Sequence, residues 1–155
     1  MQRRLIWVTL FSVAIVVTAL YHTRKVHAQD GCSVASLKGT YAFRRTGTIA
    51  PGFGSASGPI AYIGIASYDG DGTRGLIRIT KSDNGVIGQW GSTGPGPTGS
   101  YTVDSDCTGS EFELGGEPQN NLVVLDGGKR FFMLSVGSGT TVTEEGIRLE
   151  EEEKD

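Results

Sequence analysis

The stretch GSYTVDSDCTGSEFEL, residues 99–114, decides how the chain is read. Tyr101 and Val103 alternate with polar residues, then comes a run of Asp, Ser, Cys, Thr and Gly, and then Phe112 and Leu114 alternate with Glu111 and Glu113. Apolar residues at period two on either side of a cluster of turn-formers spell two antiparallel strands joined as a hairpin. On this alternation Tyr101, Val103, Phe112 and Leu114 face an apolar interior, while Glu111 and Glu113 point to water.

The same grammar runs outward in both directions. Short alternating runs occupy residues 40–45, 60–68, 76–81, 86–90, 100–104, 110–114, 122–125, 130–136 and 140–144, and none has a helical period. Between them stand DGDG (69–72), SDNG (82–85), DCTG (106–109), DGG (126–128) and GSG (137–139), the residues that tight turns require. All 24 glycines of the 155-residue chain lie after residue 28, a density that fits many turns rather than helices. Neighbouring strands are therefore expected to pair as hairpins. Eight or nine consecutive antiparallel strands leave exposed edges unless the sheet closes, so the expectation is an all-β, up-and-down β-barrel of about eight strands, with a β-sandwich as the alternative. Tyr41 with Phe43, and Phe131 with Met133, join the interior candidates. PIAYIGIAS (59–67) and RFFMLSV (130–136) are apolar on both faces, which marks them as lying beneath another element or forming a contact surface.

Residues 1–28 have the form of a secretory leader: Arg3 and Arg4, an uncharged apolar run over 5–20, and Val26-His27-Ala28 as a cleavage site. Arg24 and Lys25 and the length of the polar segment keep an uncleaved N-terminal anchor as the alternative, although a run of sixteen is shorter than the roughly 17–25 residues of a spanning helix. The expected location is secreted or periplasmic, or else anchored in the inner membrane by the leader. The domain plan is a leader over 1–28, one barrel over 29–149 and a flexible acidic tail over 150–155. Export places the two cysteines, Cys32 and Cys107, in an oxidising compartment, where they most simply form one structural disulfide. It would close a loop of about 75 residues, worth about 4 kcal/mol on chain entropy.

From residue 32 onward the chain resembles a family of small exported bacterial proteins without an assigned activity. The shared motifs read here CSVASLKGTYAF (32–43), YDGDG (68–72), GSYTVDSDCTG (99–109) and VLDGGKRFF (124–132), with Tyr68 and Ser100 standing where phenylalanine and threonine are usual. The resemblance implies an all-β fold and agrees with the disulfide; it implies no particular chemistry. Gly39 followed by Tyr41 is similar to the opening of calycin barrels such as lipocalins and avidins, and a small closed barrel is similar in outline to allene oxide cyclase and dirigent proteins. These likenesses concern the fold, and fold does not fix function.

The search for chemistry is mostly exclusion. His22 and His27 both belong to the leader, so the barrel has no histidine for Ser-His-Asp or Cys-His catalysis or for a usual zinc site, and no catalytic residue, metal or cofactor is expected. Asp69, Asp71, Asp104, Asp106, Glu111 and Glu113 could supply a carboxylate pair, but each falls in a turn or on a face expected to be wet. YDGDGTRG (68–75) lacks the glycine and the distal glutamate of a calcium loop and reads as a hairpin turn. GPGPTG (94–99) matches a dinucleotide-loop glycine pattern but leads into a strand, not a helix. After the leader the chain carries 10 basic against 17 acidic residues, which argues against nucleic acid; a membrane enters only through an uncleaved leader.

Three functions follow as expectations. The first is an exported non-catalytic barrel binding a small apolar or aromatic ligand, lined by Tyr41, Phe43, Tyr62, Trp90, Tyr101 and Phe112. The second is an envelope or extracellular interaction module, signalled by an exposed apolar patch. The third is a cyclase- or isomerase-like enzyme working in a shaped cavity. Alternation also turns Arg45 toward the side of Tyr41 and Phe43, where it would need a carboxylate partner and would then be the best clue to an anionic ligand.

Overall fold

All nine alternating segments form strands: β1 (Lys38–Ile49), β2 (Gly58–Asp69), β3 (Thr73–Asp83), β4 (Val86–Gly91), β5 (Pro97–Val103), β6 (Thr108–Glu113), β7 (Pro118–Leu125), β8 (Arg130–Ser135) and β9 (Thr140–Arg148). The structure, a computed structural model, describes residues 31–53, 57–91, 97–113 and 116–150, without the Trp90 side chain. These belong to the second of two units, Gly31–Asp155, and the proposed leader, Leu114 and residues 151–155 lie outside the described part.

Every pairing is antiparallel, and β1 pairs on one side with β2 and on the other with β9. With β2 on β3 and β3 on β5, an eight-stranded ring closes, and the barrel prevails over the sandwich. β4 stands outside the ring. It runs along Arg78–Asp83 of β3, while β5 takes Thr73–Gly75 of the same edge. The two therefore follow one another along β3, and the expected β4–β5 hairpin is replaced by a β3–β5 pairing across the sequence that contains Pro95.

One end of the ring gathers the start of β1 and the β2–β3, β5–β6 and β7–β8 turns. There the segment from Cys32 to Leu37, with a 3-10 turn over Val34–Ser36, is held across the barrel. The Cys32–Cys107 disulfide ties it to the β5–β6 turn, Cys32 N–H donates to Ser105 O (3.2 Å), and Leu37 is fully buried. Tyr101 Oη donates to Leu37 O (2.7 Å) and accepts from Gly70 N–H (3.0 Å). Cys107 itself adopts φ 69°, a left-handed conformation rare for a residue with a side chain, and the turn around it is secured by Asp106 Oδ1, which accepts from Thr108 N–H (3.0 Å).

Behind this plug Tyr41, Tyr68, Tyr101 and Phe131 pack ring against ring, with centroids 5.1–5.5 Å apart and mostly edge-to-face. Within the core, a Cβ on Gly146 would run into the Phe131 ring, and one on Gly64 into Phe43. The aromatic end of the lumen is thus filled by the chain's own side chains. Leu122, Val124, Met133 and Val103 complete the core.

One expectation about facing is overturned. In β6 it is Glu111 that is buried, 4% exposed, and Phe112 that stands on the outer wall, half-buried; only Glu113 is exposed as expected. The ladder sets this: Glu111 lies opposite Tyr101 of β5 and Asn120 of β7, both of which point inward. Local alternation fits either face, and the neighbouring strands decide.

Candidate functional site

Beyond the aromatic plug the lumen turns polar. Arg45 follows Tyr41 and Phe43 inward on β1, and its register partner on β9, Glu144, follows the parity of Val142. Arg45 Nη1 lies 3.7 Å from Glu144 Oε2, and its Nη2 donates to Asn120 Oδ1 of β7 at 3.5 Å. Across the lumen Arg74 of β3 reaches Glu111 Oε1 at 3.1 Å, and Tyr68 Oη donates to Glu111 Oε2 at 3.4 Å. Two arginines and two glutamates from β1, β3, β6 and β9 therefore face one another in a single polar section.

Placing charge here is costly, and the groups register it. Burial, then repulsion from Glu111, raises the Glu144 carboxyl to about 7 in spite of Arg74 and Arg45. Burial followed by the charge of Glu111 lifts the Tyr68 phenol well above its ordinary value. Burial works against the Arg74 cation, yet Glu111, Tyr68 and Glu144 raise its pKa. These four ionisable groups and Tyr68 form one coupled set.

The set is incompletely satisfied. Arg45 Nε, Arg74 Nε and Glu144 Oε1 are buried and have no hydrogen-bond partner within the protein. Buried polar groups are normally paired, because leaving one unpaired costs about 1–3 kcal/mol, so three in one section set it apart from the rest of the core. Two N–H donors and one carboxylate oxygen are on offer.

The far end of the lumen is the more open one. Arg45 retains 25% side-chain exposure, and beside it on the ladder Tyr62 donates to Asp83 Oδ1. Lys81 holds the other oxygen of Asp83 at 2.7 Å. Burial and then Asp83 push the Tyr62 phenol up to about 12, while hydrogen bonds from Lys81 and Tyr62 lower Asp83.

Of the residues expected to line a ligand cavity, Tyr41, Phe43 and Tyr101 are buried in the lumen but committed to packing. Tyr62 stands at the open end, Phe112 is corrected to the outer wall, and the Trp90 side chain lies outside the described residues. The sequence reading singled out Arg45 and did not place Glu144, Arg74, Asn120 or Tyr68 among the candidate site residues. Glu111, expected in water, is one of the buried acids. Asp69 and Asp106 are turn caps: Asp69 Oδ1 accepts from Asp71 N–H (2.7 Å) and Thr73 N–H (2.9 Å), and those bonds lower its pKa.

A second feature lies on the outer wall of β7, β8, β9 and β1. Val123, Phe132 and Leu134 are 42%, 43% and 50% exposed, and with Arg44, Thr143 and Glu145 they line a groove of about 720 Å³. RFFMLSV is thus exposed through its outward residues, Phe132 and Leu134, while Phe131 and Met133 fill the core. From PIAYIGIAS, Ile63 is likewise outward and 63% exposed. Among the described residues no helix is long and apolar enough to cross a membrane, and no group of three His, Cys, Asp or Glu is placed to hold a metal ion.

No family model, no curated protein and no solved structure matches the chain.

Proposed function

We propose that this chain is an exported, non-catalytic binding barrel that takes a small molecule in the polar section of its lumen. The observation that carries the reading is the trio of buried, unpartnered polar atoms, Arg45 Nε, Arg74 Nε and Glu144 Oε1, within one charged section. Eight strands enclose room for side chains or for one small ligand, and here the aromatic end takes the first option. The ligand is therefore polar rather than the apolar or aromatic one expected from the tyrosines. Export is supported by the form of residues 1–28 and by the disulfide, which suits an oxidising compartment. The test is native mass spectrometry of the protein exported from a bacterial host. A retained small mass, lost on denaturation and absent from an Arg45→Met/Glu144→Met double variant, supports the reading; a bare mass under both conditions overturns it.

A second reading, an envelope or extracellular interaction module, is favoured by the groove over Val123, Phe132 and Leu134. The partner this reading takes is a second copy of the chain: Arg44, Arg130 and Glu145 beside the strip are bonded to one another, which leaves the exposed apolar residues of two copies to pack together. Sedimentation should show concentration-dependent association that Leu134→Asp abolishes; a monomer at all concentrations sinks this reading.

A further inference from the structure

The free hydrogen-bonding capacity of the polar section specifies more than polarity. Two arginine Nε–H groups need an acceptor, and one carboxylate oxygen, Glu144 Oε1, needs a donor. The remaining bonds in the set are slack, at 3.4 Å (Tyr68 to Glu111), 3.5 Å (Arg45 to Asn120) and 3.7 Å (Arg45 to Glu144), against 3.1 Å for Arg74 to Glu111. With both glutamates ionised the four charges cancel. With Glu144 protonated they leave one net positive charge facing the lumen.

Resting on the lumen reading above, we infer that the ligand is a small carboxylic acid, whose carboxylate oxygens accept from Nε–H of Arg45 and Arg74 while one proton is shared between the acid and Glu144 Oε1. When Glu144 is ionised, the acid enters as its anion and the complex takes up one proton from solvent, so charge balances: the carboxylates of Glu111, Glu144 and the ligand and one proton against the two arginines. No covalent bond forms or breaks. An alcohol or amide could satisfy the same donors, but it would not draw on the positive charge that protonation of Glu144 leaves. Among the described residues, the charged and titratable groups facing this section are Arg45 of β1, Tyr62 and Tyr68 of β2, Arg74, Lys81 and Asp83 of β3, Tyr101 of β5, Glu111 of β6 and Glu144 of β9. β7 and β8 contribute the neutral Asn120 and Met133. Among these groups Glu144 is the carboxyl raised toward neutrality, so it is the one that exchanges the proton.

The test is calorimetric titration of the intact exported protein with acetate and lactate, and with acetamide as the uncharged control, over pH 5 to 9 in buffers of different ionisation enthalpy. Both acids should bind, with one proton taken up above pH 7 and affinity falling about tenfold per pH unit there. Glu144→Gln should flatten that profile, and Arg45→Lys should weaken binding of the acids at least tenfold while leaving the melting curve intact. Equal binding of acetamide, or an unchanged pH slope in Glu144→Gln, overturns the inference. Failure of the two readings is distinguishable. A retained mass that is not an acid, with acetate and lactate inert, overturns this inference and leaves the lumen reading standing. No retained mass and no titration signal mean that water completes these bonds, and both readings fall.

Discussion

Arg45 and Glu144 are direct partners across the β1–β9 ladder, and so are Arg44 and Glu145 beside them, yet the first pair faces the lumen at 3.7 Å and the second faces solvent at 2.9 Å. Consecutive residues of a strand point to opposite faces, so a doublet of arginines opposite a doublet of glutamates produces one ion pair on each side of the wall. The outer pair joins Arg130, also bonded to Glu145 (3.0 Å), and is worth little in water. The inner pair is a different matter. Removing one partner should cost about 3–5 kcal/mol because it strands a buried charge, whereas Arg45→Met/Glu144→Met together should be near neutral or stabilising. Urea denaturation of the two singles and the double closes this cycle; a double variant as unstable as the sum of the singles would show the pair to be a net stabiliser.

The same carboxyl makes stability depend on pH. Glu144 is raised in the fold to about 7 from 4.5, so the fold favours its protonated form. That contribution is fully present below the unfolded value and is lost as pH rises through about 7, amounting to about 3 kcal/mol. The lowered carboxyls, Asp69, Asp83, Asp106 and Glu145, have the opposite sign and act below their ordinary range, at more acid pH. Unfolding free energies between pH 5 and pH 8 should therefore decline for the native chain and stay level for Glu144→Gln. Parallel slopes for the two proteins would contradict the assignment.

Gly146→Ala should destabilise the barrel by about 1–3 kcal/mol, since the added methyl collides with the Phe131 ring. Phe131→Leu in the same chain should recover part of that loss, although it costs stability on its own. Thermal melts of the two singles and the double decide whether the effects are coupled.

Reduction, or Cys32→Ala/Cys107→Ala, should cost about 4 kcal/mol if chain entropy governs. It should also release the Cys32–Leu37 plug, so that the amides of Tyr101 and Gly70 exchange faster. A midpoint in urea that ignores reductant would mean that Leu37 and Tyr101 suffice to hold the plug.

β4 should be the weakest strand in hydrogen exchange. Among the described residues it pairs only with β3, and Val86 and Ile87 are 72% and 67% exposed. Its unpaired amides should exchange long before those of β1 and β9; equal protection would mean that something covers that edge.

The strands and the disulfide were legible in the sequence because each is written locally, in period-two alternation, in turn-formers such as DGDG, and in two cysteines alone. The polar section was not, because it is an agreement among four distant strands. SEFEL is consistent with either face, and only the neighbours of Glu111, with Arg74 as its counter-ion, turn the acid inward. Glu144 did leave a trace: it shares parity with Val142 and Gly146, just as Arg45 shares parity with Tyr41 and Phe43. Carrying alternation through a charged residue, rather than stopping at it, would have found the pair. The exit of β4 from the ring was hidden for a similar reason, since it depends on how much of the long β3 edge remains for β5.

The ladder that joins β1 to β9 is also where the first and last strands of the chain must find each other, about a hundred residues apart, for the cylinder to close. A slip of two residues there would keep every side chain on its proper face but set Arg45 against Gly146 or Val142 and Arg44 against Ile147 or Thr143. Hydrophobic packing alone distinguishes such alignments poorly, whereas a slip that parts Arg45 from Glu144 leaves each charge facing the lumen without its counter-ion and penalises them. The facing doublets thus serve as an index mark for assembly, telling the closing seam which of several near-equivalent alignments is the native one.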